Sequence, residues 1–176
     1  MKSKLLIAVL ALSAVAAVVP VVSAAKESKE AKLARQAKIT MAEARKTALA
    51  RVPGNIESGR LEREKGKLWF EFEIHKADNN AEVEIHIDAV TGEVGEIKDE
   101  GSGSAKEAEM FRQAKVSVDE AEATALNRVS GTVVMLEFER ERGKFLYEFE
   151  IITSDGKEET IHVDAVSGAV ESVGGK

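Results

Sequence analysis

The sequence contains itself twice. Residues 29–40 read KEAKLARQAKIT and residues 106–117 read KEAEMFRQAKVS, identical at seven of twelve positions at an offset of 77. The offset holds through EFEI at 71–74 against 148–151. It falls to 76 by IHIDAVTGEV at 85–94 against IHVDAVSGAV at 161–170. One residue is therefore missing from the second copy near 78–82, in a loop, where a change of length is best tolerated. This repeat constrains the fold more than any composition does, because whatever one copy of about 70 residues builds, the chain builds twice.

Each copy opens with a helix signal. Thr40-Met-Ala-Glu43 and Ser117-Val-Asp-Glu120 fit the capping box, in which the hydroxyl takes a first-turn N–H and the Glu reaches back to the cap's own N–H. The apolar spacing of Ala44, Ala48, Leu49 and Val52, repeated by Ala121, Ala125, Leu126 and Val129, predicts helices over 41–52 and 118–129. Pro53-Gly54 and Ser130-Gly131 end them. The charged segments before them, 29–38 and 106–115, read as short lead helices with little apolar surface.

Strands follow. Leu68, Phe70, Phe72 and Ile74 alternate with Trp69, Glu71, Glu73 and His75, and Phe145, Tyr147, Phe149 and Ile151 repeat the pattern. Period two with one apolar face predicts an antiparallel sheet buried on one side. Val83, Ile85 and Ile87 continue the pattern on the next strand. An irregular strand precedes, near 57–64, clearer in the second copy as Val134, Leu136 and Phe138. Glu64-Lys-Gly66 and Glu141-Arg-Gly143 are hairpin turns, and short last strands cover 93–98 and 169–173. The expected fold is α+β: two tandem repeats (29–98 and 106–173), each a helix packed on a three- to four-stranded antiparallel sheet and preceded by a short charged lead helix. Gly101-Ser-Gly-Ser104 gives residues 99–105 the composition of a flexible linker. The same GxG makes a poor phosphate loop, because Asp99 and Glu100 precede it and no third glycine follows.

Two lysines and then an uncharged run at 5–22, ending in small residues, predict a signal peptide at 1–24 and hence a periplasmic or secreted protein. An uncleaved anchor, which would make the chain a membrane-tethered accessory subunit, is the rival reading. Without 1–24 the chain keeps 25 − 2 = 23 basic residues against 31 acidic ones, a formal charge of −8. Phosphates would be repelled, which argues against nucleic acid and anionic lipid as partners and leaves a protein partner or cations. With no Cys, disulfides and thiolate metal sites are excluded.

The outward sheet face carries the polar candidates. Even closure of the hairpins predicts the pairs Glu73–His86, Glu71–Asp88, Glu150–His162 and Glu148–Asp164. His86, Glu73 and Asp88, with His75 nearby, offer nitrogen and oxygen ligands to Zn²⁺, but Ile152 stands at the position of His75 in the second copy, and a flat strand face converges poorly. The favoured expectation is therefore no metal, no cofactor and no catalytic residue. Three His, no Cys and no Gly-x-Ser-x-Gly elbow leave nucleophilic catalysis without its parts. Asp88, Thr91 and Gly92, and likewise Asp164, Ser167 and Gly168, read as turns: the Asp accepts backbone N–H groups ahead of it and the Gly takes positive φ. Trp69 and Leu146 hold equivalent positions on the acidic face and are candidate anchors for a partner.

The cap Ser/Thr with its following Glu-Ala, the aromatic-Glu-Phe-Glu-Ile strand and the Asp-Ala-x-Thr/Ser-Gly-x-Val ending together resemble the PepSY domain. The resemblance covers 39–97 and 116–173. The second copy departs from it at Ser167 and Ala169. It implies small α+β modules of exported or membrane-associated bacterial proteins and of metallopeptidase propeptides, which restrain or modulate peptidases and have no catalytic residues to carry over. The expected function is a non-catalytic exported binding module acting on a peptidase or another envelope protein. A cation-binding or cation-buffering protein using the acidic sheet faces is the alternative.

Overall fold

The computed structural model describes residues 27–175; the expected signal peptide at 1–24 lies outside them. Among the described residues, no helix is long and apolar enough to cross a membrane. The first repeat runs α1 (Lys29–Ala34), α2 (Met41–Arg51), β1 (Gly54–Glu64), β2 (Lys67–Lys76), β3 (Ala81–Asp88) and β4 (Val94–Ser102). The second runs α3 (Ala105–Gln113), α4 (Val118–Arg128), β5 (Thr132–Glu141), β6 (Lys144–Ile152), β7 (Glu158–Asp164) and β8 (Val170–Gly175). Each repeat thus has a lead helix, a main helix and four antiparallel strands.

The main helices start where the caps dictate. Thr40 Oγ1 accepts from the Glu43 amide at 3.2 Å while Glu43 Oε2 accepts from the Thr40 amide at 2.7 Å. Ser117 and Glu120 repeat the exchange. The first hairpin of each repeat turns on two residues of positive φ, Lys65-Gly66 and Arg142-Gly143, a backbone whose twist matches the strands. The irregularity of the strand before it has a cause: a bulge between Ile56 and Ser58, matched between Val133 and Met135, interrupts the alternation.

The repeats are not separate beads. The strand order β4-β3-β2-β1-β5-β6-β7-β8 makes one eight-stranded sheet. At its centre Ser58 pairs with Glu137, Gly59 with Leu136 and Arg60 with Met135. Gly59 and Leu136 are equivalent positions (136 − 59 = 77), so an approximate two-fold axis passes through that pair. A Cβ on Gly59 would lie 2.7 Å from the Phe72 ring, so the centre of the sheet admits no side chain there. One apolar core runs through both repeats, with Phe70, Phe72, Ile74, Ile85, Ile87, Phe149, Ile151, Ile161 and Val163 fully enclosed. Each such burial stabilises by about 1.5–3 kcal/mol.

The lead helices tie the repeats further. α1 packs on β1 but also reaches β5 and β6 of the other repeat. In mirror fashion Phe111 of α3 lies against His75 of the first repeat, ring centroids 5.0 Å apart, and stacks on Phe138 of its own. The Gly-Ser stretch expected as a flexible linker is ordered instead. β4 continues its pairing with β3 as far as Ala81–Ser102, the Gly103 amide donates to the Asn80 carbonyl at 2.9 Å, and Ser104 caps α3 in a third capping box with Glu107. Satisfied backbone groups on both sides outweigh the intrinsic freedom of the composition.

Candidate functional site

The IHIDAVTG motif closes a joint between three elements. Asp88 Oδ1 accepts from the amides of Val90 and Thr91 at 2.8 and 2.9 Å, and Gly92 has φ 77°. The Ala89 amide donates to Leu68 of β2, while its carbonyl accepts from Lys38 at 2.8 Å and Ile39 at 3.3 Å, just ahead of α2. Asp164, Ser167, Gly168 and Ala165 reproduce every part of this, with Lys115 and Val116 as the donors ahead of α4. The Ser167 amide holds the Asp164 carboxyl below its ordinary range against a smaller opposing effect of burial. At Asp88 burial is the largest single influence and pushes upward, but the Thr91 and Val90 amides together with Lys67 outweigh it and the carboxyl is again held low. The motif therefore seats the main helix on the sheet.

The cross-strand pairs differ from those expected by even closure. Trp69 faces Asp88, Glu71 faces His86 and Glu73 faces Glu84; Leu146 faces Asp164, Glu148 faces His162 and Glu150 faces Thr160. The cause is the loop. Residues 77–80 form a four-residue connection in which the Asn80 amide returns to the Lys76 carbonyl at 3.0 Å, and this sets the register two residues from the expected one. A shift of two keeps every side chain on its face and changes every neighbour.

The four residues named as metal ligands are accordingly not brought together. His75 is fully buried beneath Phe111, its Nε2 against Glu57 and its Nδ1 without a hydrogen-bond partner. Glu73 accepts from the Ser58 hydroxyl at 2.8 Å, and Asp88 serves the turn. His86 joins Glu71 and Glu62 instead, with ligand atoms all within 4.8 Å of one another. The equivalent residues Glu139, Glu148 and His162 form the same group in the second repeat. Glu62 and Glu139 lie on β1 and β5, the strands whose bulges interrupt the alternation, so their place on this face is hidden from a period-two reading.

The two groups differ in charge. In the first, Arg60 bridges the carboxylates, pairing with Glu71 and lying 3.5 Å from Glu62. Burial, and then Glu62 diagonal to it on β1, push the Glu71 carboxyl up to about 7 against the opposing guanidinium. His86 Nε2 lies 3.2 Å from Glu71 and 3.1 Å from Glu84. In the second, the position of Arg60 is taken by Glu137, which pairs directly opposite Glu148.

The two anchor candidates have different environments. Trp69 is half-buried: Lys67 lies 5.4 Å from its ring centroid, and a Cβ on Gly95 of β4 would come within 2.7 Å of its ring. Leu146 is only 4% exposed and cannot serve as an exposed anchor. It lies on an inner strand between Glu139 and Asp164, which flank it on both sides. Among the described residues the exposed large apolar side chains are elsewhere: Val90 and Val166 in the two turns, about half exposed, and Val94 and Ile97 of β4 and Val173 of β8, each about two-fifths exposed. Beneath β4 opens a cleft of about 500 Å³ lined by Arg51, Pro53, Val83, Ile97 and Asp99.

Comparison with known proteins bears on this arrangement. The PepSY profile, described as "Peptidase propeptide and YPEB domain", matches residues 38–97 and again 115–173. YkoJ of Bacillus subtilis (strain 168) is 27% identical over 132 residues, 75% of this chain and 72% of its own length. Among solved structures, CD1622 from Clostridium difficile 630 aligns with a TM-score of 0.47 at 24% identity, over 80% of this chain and 95% of its own. The YpmB protein from Bacillus subtilis aligns with a TM-score of 0.35 at 13% identity, over 70% and 86%.

Proposed function

The chain belongs to the PepSY family, with two copies of the domain, and on that premise we propose that it is an exported, non-catalytic binding protein that modulates a peptidase of the cell envelope. The family's description as a peptidase propeptide domain supports the class of partner. The observation that carries the binding mode is the pair of open sheet edges. β4 is exposed along its whole length and β8 along nearly all of its own. An exposed edge is a template for an extended segment, which gains main-chain hydrogen bonds from the strand and specificity from side-chain pockets. Ile97 and the cleft beside it supply such a pocket on the β4 side, and Val173 presents an exposed apolar side chain on β8.

In this reading the partner contributes a strand, as a flexible peptidase loop or terminus would. The test is to add the purified protein to envelope peptidases of its host and to follow both peptidase rate and amide exchange of this chain. Slowed or redirected proteolysis together with new protection confined to β4 or β8 supports the reading, and Ile97→Lys or Val173→Lys should weaken it at the corresponding edge. A chain that leaves every envelope peptidase unbound and unaffected sinks it.

A further inference from the structure

On the outward face a straight row of residues crosses the strands of each repeat. In the first it runs Arg60, Glu71, His86 across β1, β2 and β3; in the second it runs Glu137, Glu148, His162 across β5, β6 and β7. Glu62 and Glu139 stand one step to the side. Around these residues the two repeats have diverged: Trp69 has become Leu146, His75 has become Ile152 and Glu84 has become Thr160, while the two Glu and the His persist. In the first repeat a cation is visibly in place, because the Arg60 guanidinium bridges Glu62 and Glu71. In the second the same two carboxylates are kept, and the guanidinium has been replaced by a third carboxylate. Like charges directly opposite one another on a sheet are destabilising, and Glu137 pairs directly opposite Glu148.

We propose that Glu139, Glu148 and His162 form a divalent transition-metal site, with Zn²⁺ the fitting ion, and that Arg60 stands in for that ion in the first repeat. The imidazole is oriented for the task. Its Nδ1 lies 2.7 Å from the Ser172 hydroxyl on β8, and its Nε2 points at the carboxylates, 2.7 Å from Glu148 and 3.8 Å from Glu139. A hydrogen-bond partner on one ring nitrogen that aims the other is the usual support of a metal-binding His. Tetrahedral Zn²⁺ with N and O ligands at about 2.0–2.2 Å needs those atoms roughly 3.3 Å apart. That asks Glu148 to open by about 0.6 Å and Glu139 to close by about 0.5 Å, within reach of side-chain rotation. Two carboxylates and one imidazole leave a fourth position to water. The single imidazole favours Zn²⁺ over Ca²⁺, which takes six or more oxygens.

The test is calorimetric titration of the chelator-treated full chain with Zn²⁺ in a weakly coordinating buffer, with circular dichroism to confirm each variant's fold and Co²⁺ absorption as a second reading of coordination. One saturable site per chain is expected. Glu148→Gln should weaken it at least tenfold and His162→Ala should abolish it, with His162→Gln used if the Ala variant does not fold. Arg60→Gln should raise the stoichiometry to two by freeing Glu62, Glu71 and His86. The absence of saturable uptake, uptake that survives loss of His162, or an Arg60→Gln variant that still binds a single ion overturns the proposal. None of these outcomes depends on whether a peptidase is bound, so this site and the edge-strand reading fail separately.

Discussion

Arg45 of α2 and Glu122 of α4 are equivalent positions of the two repeats (122 − 45 = 77), and their side chains form a buried ion pair with Nη1 2.5 Å from Oε2. Both are nearly inaccessible, and Arg45 also donates through Nε to Asp119 at 3.1 Å. A two-fold arrangement of identical repeats would set Arg against Arg or Glu against Glu here. The copies have instead become complementary at the axis, as they have at Gly59 and Leu136, so each repeat is fitted to the other. Removing one partner of a buried pair leaves an uncompensated charge, whereas replacing both with apolar groups is close to neutral. Arg45→Met is expected to cost about 3–5 kcal/mol, and Arg45→Met with Glu122→Met to recover most of that, measured by urea unfolding.

Gly59→Ala tests the centre of the sheet. The added methyl group would meet the Phe72 ring at 2.7 Å, and overpacking of this degree costs about 1–3 kcal/mol. Because β1–β5 is the strand pairing that joins the repeats, hydrogen exchange should rise there first.

Glu71 gives a pH dependence of unusual sign for a carboxylate. Its folded pKa is raised from 4.5 to about 7, chiefly by burial and then by Glu62. A raised folded value means that its contribution is full below the unfolded pKa and is lost as pH rises through the folded one. Unfolding free energy should therefore fall between pH 4.5 and 8. Glu71→Gln should flatten that fall and be the more stable form at pH 8 by about 1–2 kcal/mol, while matching the parent near pH 4.5.

Asp88 and Asp164 act in the opposite direction. Their folded pKa values are depressed, so their contribution is present above the unfolded value of 3.8 and is lost as pH falls through the folded one. The double variant Asp88→Asn, Asp164→Asn is expected to lose about 1–3 kcal/mol at neutral pH, and the difference from the parent should shrink as both are titrated toward pH 2.

Much of the molecule follows from local rules that a single copy of the repeat already displays. The capping boxes at Thr40 and Ser117, the apolar faces of β2 and β6 and the Asp-Ala-x-Thr/Ser-Gly turns depend on hydrogen bonds and alternation within a few residues, so the elements, those two faces and the family were legible in a single copy. Register was not local. A four-residue loop moved Glu71 opposite His86 without changing the face of any residue, because the side-chain period is two. The bulges at Glu57 and Val134 hid the phase of β1 and β5, and with it Glu62 and Glu139. That the two repeats share one sheet, that the Gly-Ser stretch is ordered and that Arg45 meets Glu122 is visible in the folded chain alone. The shared sheet and the Arg45–Glu122 pair rest on contacts between residues some 75 positions apart, whose complementarity appears only once the two-fold pairing brings equivalent positions face to face, and the Gly-Ser stretch rests on its pairing with β3.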